Sequence, residues 1–229
     1  MITDGIIFDI DGTIWDTTEI VAKGWNRAIR NNFPQIAEVT GQILKGQFGK
    51  TMKVIADNLF PGLTEQQKDV LMEVCCKEEQ AELTAASGNL AYPHVVDTIQ
   101  KLSEKHKLFI VSNCQKGYCE LVMEKNNITK YITDFECFGN NGKNKTENLL
   151  LLKARNNLNN PVYVGDTQSD ADSCKQAGIP FVWASYGFGS DVAAEYRIDD
   201  FRSCSYCLHK KLVLFSNSIF STFSTMYDF

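Results

Sequence analysis

The chain has 229 residues, a mass of 25.8 kDa and a formal net charge of -5 at pH 7. With 44% apolar and 22% charged residues it has the composition of an ordinary globular protein, which excludes a disordered or collagen-like chain. The negative charge argues against nucleic acid as the main partner, because binding to a phosphate backbone depends on clustered Lys and Arg.

The apolar run "GIIF" predicts a first strand at residues 5–8. No strand pattern follows between residue 16 and about residue 88, where Thr64 and Gln67 instead have the spacing of a capping box that starts a helix. An insert of roughly 70 residues is too long for a crossover loop. We therefore expect a small helical domain over the sheet, with hinges near Asp16 and Gly88.

Apolar runs and helical patterns alternate after this insert. Strands are predicted at 107–113, 134–139, 161–166 and 180–185, and helices at about 93–105, 115–126, 145–157 and 168–177. This alternation is typical of a parallel sheet with helices on both faces. We therefore predict an α/β fold: residues 1–15 and 89–200 form the sheet domain, 16–88 a helical cap, and 201–229 an atypical tail.

Compartment and partners follow from the remaining features of the chain. The first strand begins within five residues, without a secretory signal pattern, so we expect a cytoplasmic protein. The eight cysteines are then reduced thiols that pack as small hydrophobic side chains. The apolar part of the tail is too short and too rich in Ser and Thr to cross a bilayer, so no membrane partner is expected.

Two aspartates stand where the first strand ends. Because side chains two apart in an extended chain share a face, Asp9 and Asp11 are predicted to lie together at the edge where open α/β sheets bind ligands. Gly12 permits a tight turn, and Thr13 adds a hydroxyl at the same place. Two carboxylates repel a phosphate, so a phosphorylated substrate would require a hard cation with oxygen ligands, a role that Mg²⁺ fits.

Several motifs in one order give the chain a family resemblance. "DIDGT" at 9–13, "VSN" at 111–113, a lysine, and "GDTQSD" at 165–170 together resemble the haloacid dehalogenase superfamily of phosphohydrolases, over residues 4 to about 200. The resemblance implies a Rossmann-like core in which Asp9 is the nucleophile and forms an aspartyl phosphate. It implies that Asp11 is the general acid and base.

The resemblance also assigns roles at the other strand ends. Ser112 follows the apolar run "LFIV", so its hydroxyl lies at the same edge as Asp9 and can donate to a phosphoryl oxygen, with Asn113 as a second donor. A lysine is expected to stabilise the charge on the transferring phosphoryl group. Lys143 and Lys145 are the candidates, and the family's position at the start of the helix favours Lys145.

Mg²⁺ is the cofactor that this resemblance implies. Its ligands are predicted to come from Asp9, Asp11 and Asp166, with Asp170 binding through water or orienting the site. For Asp170, a simple role as an acidic charge at a helix N-terminus is the alternative.

The helical insert indicates a branch of the family. Its position resembles the cap of the phosphoglycolate phosphatases and beta-phosphoglucomutases, but Ile20 and Val21 stand where those mutases carry a histidine. Hydrolysis of a phosphate monoester is therefore favoured over the mutase reaction. A phosphomutase and a catalytically silent metabolite-binding protein are the two alternatives.

A further loop, "GQFGKT" at 46–51, resembles the substrate-specificity loop of this branch. Lys50 would bind a second acidic group of the substrate, or it is an exposed lysine of a plain helix–helix turn. Phe48 and Trp15 would shield the site or simply pack. The expected partner is a small phosphorylated metabolite, and the chain is expected to be a monomer or a weak homo-oligomer.

Overall fold

The computed structural model describes residues 3–205 of the chain, and the predictions for residues 206–229 of the tail lie outside the described residues. A six-stranded sheet forms its centre. The strands are β1 (Gly5–Phe8), β2 (Lys107–Ser112), β3 (Ile132–Cys137), β4 (Pro161–Gly165), β5 (Phe181–Ala184) and β6 (Tyr196–Ile198). Their order is β3-β2-β1-β4-β5-β6 and every neighbouring pair is parallel, which confirms the predicted Rossmann-like α/β fold.

Helices connect these strands. They are α1 (Thr18–Asn32), α2 (Gly41–Lys45), α3 (Met52–Leu59), α4 (Glu65–Ala85), α5 (Val95–Ser103), α6 (Tyr118–Lys125), α7 (Phe138–Asn141), α8 (Lys145–Arg155) and α9 (Gln168–Ala177). The first four follow one another between β1 and β2, which is the helical insert that the sequence predicts. The division into domains at residues 16 and 88 stays a prediction.

Local sequence signals set the ends of two helices. α4 begins with the predicted capping box, in which the Thr64 side chain accepts from the Gln67 amide and Gln67 reaches back. α9 ends at Gly178, whose left-handed conformation (φ 65°) is typical of a helix C-terminus.

The sheet is covered on both faces, and β1, which lies in its middle, contributes side chains to both cores. Ile6 and Phe8 point into the larger apolar core, and Ile7 points into a second core together with Phe109 and Val111. The three β1 side chains are fully buried. This continuous apolar run is characteristic of parallel strands covered by helices on both sides.

The cap helices α1 and α4 pack closely. A β-carbon built on Gly24 would lie 2.9 Å from the backbone of Glu78, so the two helices approach at that point. Arg27 of α1 pairs with Glu78 and Glu82 of α4 beside this contact. Within the described range, no helix is long and apolar enough to span a membrane.

Candidate active site

The carboxyl ends of three neighbouring strands meet at one edge of the sheet. Asp9 follows β1 directly, Ser112 is the last residue of β2, and Asp166 follows β4 directly. Two helix starts complete this edge, since Lys145 is the first residue of α8 and Asp170 lies in the first turn of α9. Residues far apart in sequence are thus brought together by the strand order.

Three of the predicted carboxylates form a buried cluster. Side-chain oxygens of Asp9, Asp166 and Asp170 all lie within 4.8 Å of one another, and each residue is at most 1% exposed. Lys145, only 2% exposed, donates from Nζ to Asp9 Oδ1 over 2.9 Å and also to Asp170 Oδ1. Lys143 is exposed to solvent, so of the two candidates it is Lys145 that lies at the cluster.

Negative charge dominates this cluster, because one lysine faces three carboxylates. Burial raises the pKa of Asp9 to about 6 although the Lys145 ammonium acts in the opposite direction. Burial, with Asp170 and Asp9 close by, raises the pKa of Asp166 well above its ordinary value. For Asp170, burial acts to raise the pKa, but the Lys145 charge together with hydrogen bonds from Lys145 and Thr167 outweighs burial and lowers it. A bound cation would therefore stabilise the ionised forms of Asp9 and Asp166, which burial disfavours.

The cluster fits a hard divalent cation. Asp9 Oδ2 is buried and has no hydrogen-bond partner among the described residues, whereas Oδ1 is occupied by Lys145. Carboxylate oxygens are the ligands that Mg²⁺ prefers. Asp9, Asp166 and Asp170 are the residues that would hold it. The Asp170 side chain is also held in position through its other oxygen, because Oδ2 accepts from the Thr167 amide and hydroxyl.

Asp11 takes a different direction from Asp9. Its Oδ1 accepts from Trp15 Nε1 over 3.1 Å and from the Tyr118 hydroxyl over 2.8 Å. The strand ends at Phe8, so the alternation of an extended chain that places Asp9 and Asp11 on one face does not continue to residue 11. The Asp11 carboxylate is not one of the three in this cluster, and its role as a metal ligand stays a prediction.

The environment of Asp11 suits a proton donor. Burial raises its pKa to about 8, and the hydrogen bond from Tyr118 limits the rise. The carboxyl group is therefore mostly protonated at neutral pH. A group whose pKa lies near the working pH is well matched to general acid and base catalysis.

Two glycines let loops approach Asp166 closely. A β-carbon on Gly12, which has a φ of 81°, would lie 2.1 Å from Asp166 Oδ2. A β-carbon on Gly187 would lie 2.3 Å from the Gly12 carbonyl oxygen. The Phe188 amide donates to Asp166 Oδ2 over 2.7 Å from this second loop. Thr13 is fully buried and its hydroxyl lies 3.5 Å from Asp166 Oδ1, so it lies beside the cluster.

A narrow pocket of about 20 Å³ lies beside Asp11 and Ser112. Asp11, Ser112 and Asn113 line it from the sheet side, and the loop around Gly49 lines it from the cap side. Asn113 Nδ2 donates to the Gly49 carbonyl over 2.8 Å, which joins the two sides. Asn113 Oδ1 is buried without a partner in the described part of the chain, so it remains available to a ligand.

Lys50 lines this pocket, but its ammonium group is engaged elsewhere. Nζ donates to the Gly46 carbonyl over 2.7 Å and to Gln47 Oε1 over 3.1 Å. Both acceptors belong to its own loop after α2. Both interpretations of Lys50, as a ligand of a second acidic group and as a lysine of a helix–helix turn, stay predictions.

Comparison with known proteins identifies the family. Residues 6–184 match the family of haloacid dehalogenase-like hydrolases. The chain belongs to this family. The predicted family resemblance is thereby confirmed.

Haloacid dehalogenase-like relatives match most of the chain. The phosphoglycolate phosphatase of Agrobacterium fabrum is 26% identical over 220 residues, covering 90% of this chain and 93% of the relative. The crystal structure of a predicted phosphoglycolate phosphatase from Haemophilus somnus has a TM-score of 0.79 at 18% identity, covering 89% of this chain and 97% of that one. A predicted phosphatase from Clostridium acetobutylicum has a TM-score of 0.77 at 18% identity, with 93% and 99% covered. At such identities the structural likeness establishes the fold.

Some residues around this hydrolase site gave no signal in the sequence. Glu79 of α4 is 4% exposed, lines the pocket, and accepts from Trp25 Nε1 and Gln115 Nε2, each over 2.8 Å. Burial raises its pKa to about 7. Glu79 lies in a run of charged residues, which predicts an exposed helix face. Its burial, like the contact of Tyr118 with Asp11, depends on how α4 and α6 pack over the sheet.

Proposed function

We propose that the chain is a Mg²⁺-dependent phosphatase that hydrolyses a small phosphorylated metabolite through an aspartyl phosphate on Asp9. The observation that carries this proposal is the state of the Asp9 carboxylate. Lys145 binds one of its oxygens, and the other is buried without a partner among the described residues, at the edge where β1, β2 and β4 end. Membership of the hydrolase family supports the same reaction class.

In the first step an Asp9 oxygen forms a bond to phosphorus while the bond from phosphorus to the leaving oxygen breaks. Asp11 gives its proton to that oxygen, and the alcohol leaves. In the second step Asp11 takes a proton from the water that attacks the phosphorus. The bond between Asp9 and phosphorus then breaks, which restores both carboxyl groups and releases phosphate.

The other side chains stabilise charge and position the substrate. Lys145 lies where negative charge develops on the phosphoryl oxygens, in a site that excludes water. The Ser112 hydroxyl and Asn113 Nδ2, whose residues line the pocket next to Asp11, would donate hydrogen bonds to the phosphoryl oxygens. When bound, Mg²⁺ would neutralise part of the phosphate charge and polarise the phosphorus.

The leaving group would lie on the Asp11 side of the pocket, which Glu79 and Gln115 line. Ionised Glu79 repels a second carboxylate on the substrate, whereas protonated Glu79 can donate a hydrogen bond to it. Because the pKa of Glu79 is about 7, we expect the ratio of kcat/KM for phosphoglycolate to that for glycerol 3-phosphate to fall between pH 6 and pH 8. The relatives that are phosphoglycolate phosphatases make phosphoglycolate the first compound to test.

The test is phosphate release from a panel of phosphoglycolate, glycerol 3-phosphate, hexose phosphates and nucleotides, with Mg²⁺ and with EDTA. Wild type is compared with Asp9→Asn. Metal-dependent release that is lost in the variant supports the proposal. Transfer of the phosphoryl group to another position of a sugar, without free phosphate, would support the mutase instead. Binding without turnover of any compound would contradict both enzyme functions.

A further inference from the structure

A second cluster of metal-binding side chains lies outside the carboxylate site. The sulfur atoms of Cys114, Cys119 and Cys137 all lie within 4.8 Å of one another. Cys114 and Cys119 are separated by 3.6 Å between sulfurs. The three residues are 8%, 0% and 0% exposed, in that order. Three sulfur atoms this close together can all contact one further atom placed between them.

The fold holds these thiols on three different segments. Cys137 is the last residue of β3 and pairs in register with Ser112, the last residue of β2. Cys114 lies two residues after Ser112, in the loop that follows β2. Cys119 lies in the first turn of α6, which begins directly after that loop. The Gly139 amide donates to the Cys114 carbonyl over 3.0 Å and joins the loop to the segment after β3. The positions of the three sulfurs are therefore set by the backbone.

The cluster is closed by contacts of its own thiols. The Cys137 thiol donates to the Gln115 carbonyl over 3.9 Å, and the Cys114 and Cys119 sulfurs contact each other. A bound cation would take the place of the thiol protons. The thiolate is the form of cysteine that binds metals.

The spacing of the sulfurs suits a single small ion. With metal–sulfur bonds of about 2.3 Å, three sulfurs around one ion stand about 4 Å apart, which is close to the separations in the cluster. Thiolate ligands select soft ions such as Zn²⁺ and Cu⁺ over Mg²⁺. We propose that Cys114, Cys119 and Cys137 form a binding site for one thiophilic metal ion, distinct from the carboxylate site.

Binding would connect this ion to the substrate pocket. Cys114 lines the pocket and follows Ser112 and Asn113, and Gln115 binds Glu79 over 2.8 Å. An ion held by three sulfurs fixes the loop that carries these side chains. Cys114 also provides the route of entry, because it is the member of the cluster that reaches the pocket surface. On binding Zn²⁺, the cluster releases its thiol protons to solvent as the sulfur–metal bonds form.

Zn²⁺ and Cd²⁺ titrations test the site directly. The full chain is prepared metal-free with a phosphine reductant, and excess Mg²⁺ is added to occupy the carboxylates. Zn²⁺ affinity is then measured by competition with a chromophoric chelator, and Cd²⁺ binding by the ultraviolet absorbance of thiolate–cadmium bonds. We expect one ion per chain, a higher Tm with Zn²⁺, and the thiolate absorbance.

Single cysteine variants assign that ion to the cluster. Cys137→Ala and Cys119→Ser should each weaken binding by more than the roughly 10- to 100-fold that loss of an outer partner costs. Cys75→Ala, the same truncation at a buried cysteine of α4 outside the cluster, should bind as wild type does. Circular dichroism identifies any variant that fails to fold, in which case the other one decides.

Three results would overturn the proposal. They are absence of Zn²⁺ binding by the reduced wild type, equal loss in Cys75→Ala, and thiolate absorbance that persists unchanged in both cluster variants. Asp166→Asn provides a further control, because it alters the carboxylate site and should leave Cd²⁺ binding at the thiols intact. Loss of the thiolate absorbance in this variant would also contradict two separate sites.

Discussion

Lys145 Nζ lies 2.9 Å from Asp9 Oδ1, and both side chains are almost fully buried. The ion pair crosses from the first residue of α8 to the end of β1, and Asp170 shares the same ammonium group. Asp9 is thereby held with one oxygen bound and the other without a partner within the described chain. This arrangement is what a nucleophilic carboxylate requires, because its position is fixed while one oxygen stays available.

Replacing Lys145 by Met is expected to impair both activity and stability. Loss of one fixed charge donor at a reacting group lowers kcat by about 100- to 1000-fold. Loss of the buried cation leaves Asp9 and Asp170 uncompensated, which lowers the free energy of unfolding by about 3–5 kcal/mol in the absence of metal. Steady-state kinetics and urea unfolding measure the two effects. Lys143→Met, at an exposed position two residues away, should change neither, and equal losses in both variants would count against the assignment.

Removal of the Tyr118 hydroxyl is expected to change the pH profile. The hydrogen bond from Tyr118 favours the charged form of Asp11, so Tyr118→Phe should raise the pKa of Asp11 above about 8. Since Asp11 must be protonated in the first step, the alkaline limb of kcat/KM should move to higher pH. Tyr131→Phe, at the residue that precedes β3, is the control. A limb that stays in place, or moves to lower pH, would show that Asp11 is not the acid.

Glu79 gives a pH dependence of stability. Its pKa is raised from 4.5 to about 7, so the folded state keeps a proton that the unfolded state loses. Protonation of Glu79 adds its full contribution to the free energy of unfolding below pH 4.5, and this contribution is lost as the pH rises to 7. The loss amounts to about 3 kcal/mol. Gln does not ionise, so Glu79→Gln removes this loss. As the pH rises from 4.5 to 8, the free energy of unfolding of the variant should increase relative to that of wild type by up to about 3 kcal/mol.

Urea unfolding across this pH range measures the effect of Glu79→Gln. Glu73→Gln makes the same change at an exposed position of α4 and should remain within about 0.5 kcal/mol of wild type. A constant difference between Glu79→Gln and wild type at all pH values would contradict the buried, protonated state.

His94 stands in a conformation that suits glycine. Its φ is 68°, its side chain is exposed, and it directly precedes α5. A residue with a β-carbon is strained there, so His94→Gly should raise the free energy of unfolding by about 1 kcal/mol. His94→Ala retains the β-carbon and is the control. Thermal and urea unfolding decide, and a gain in the Ala variant as large as in the Gly variant would refute the explanation.

Much of the fold could be predicted because β1, β2, β4 and β5 are short apolar runs bounded by polar residues. Lys145 was favoured over Lys143 by its place at a helix start, and the structure brings it to Asp9. β6 was not predicted, because its three residues have no apolar run of their own and join the sheet only by pairing with β5.

The limits of the sequence are clearest around Asp11. The two-residue spacing predicts Asp9 and Asp11 at the same strand end, but it contains no sign that the Asp11 carboxylate accepts from Trp15 and Tyr118. Cys114, Cys119 and Cys137 were interpreted as packing thiols because nothing in their spacing along the chain brings them together. Pairing of β2 with β3 does so in the fold. Such relations depend on tertiary packing, so a single sequence does not contain a local signal for them.

The central claim is that phosphorus becomes bonded to Asp9. The most direct measurement is acid quenching of wild type with Mg²⁺ and a ³²P-labelled substrate from the panel, within the first turnover, followed by mapping of the label to a peptide. The account predicts label on the peptide that contains Asp9, formed and lost at rates compatible with kcat, and none in Asp9→Asn. Undiminished phosphate release by Asp9→Asn, or label at another residue, would contradict it.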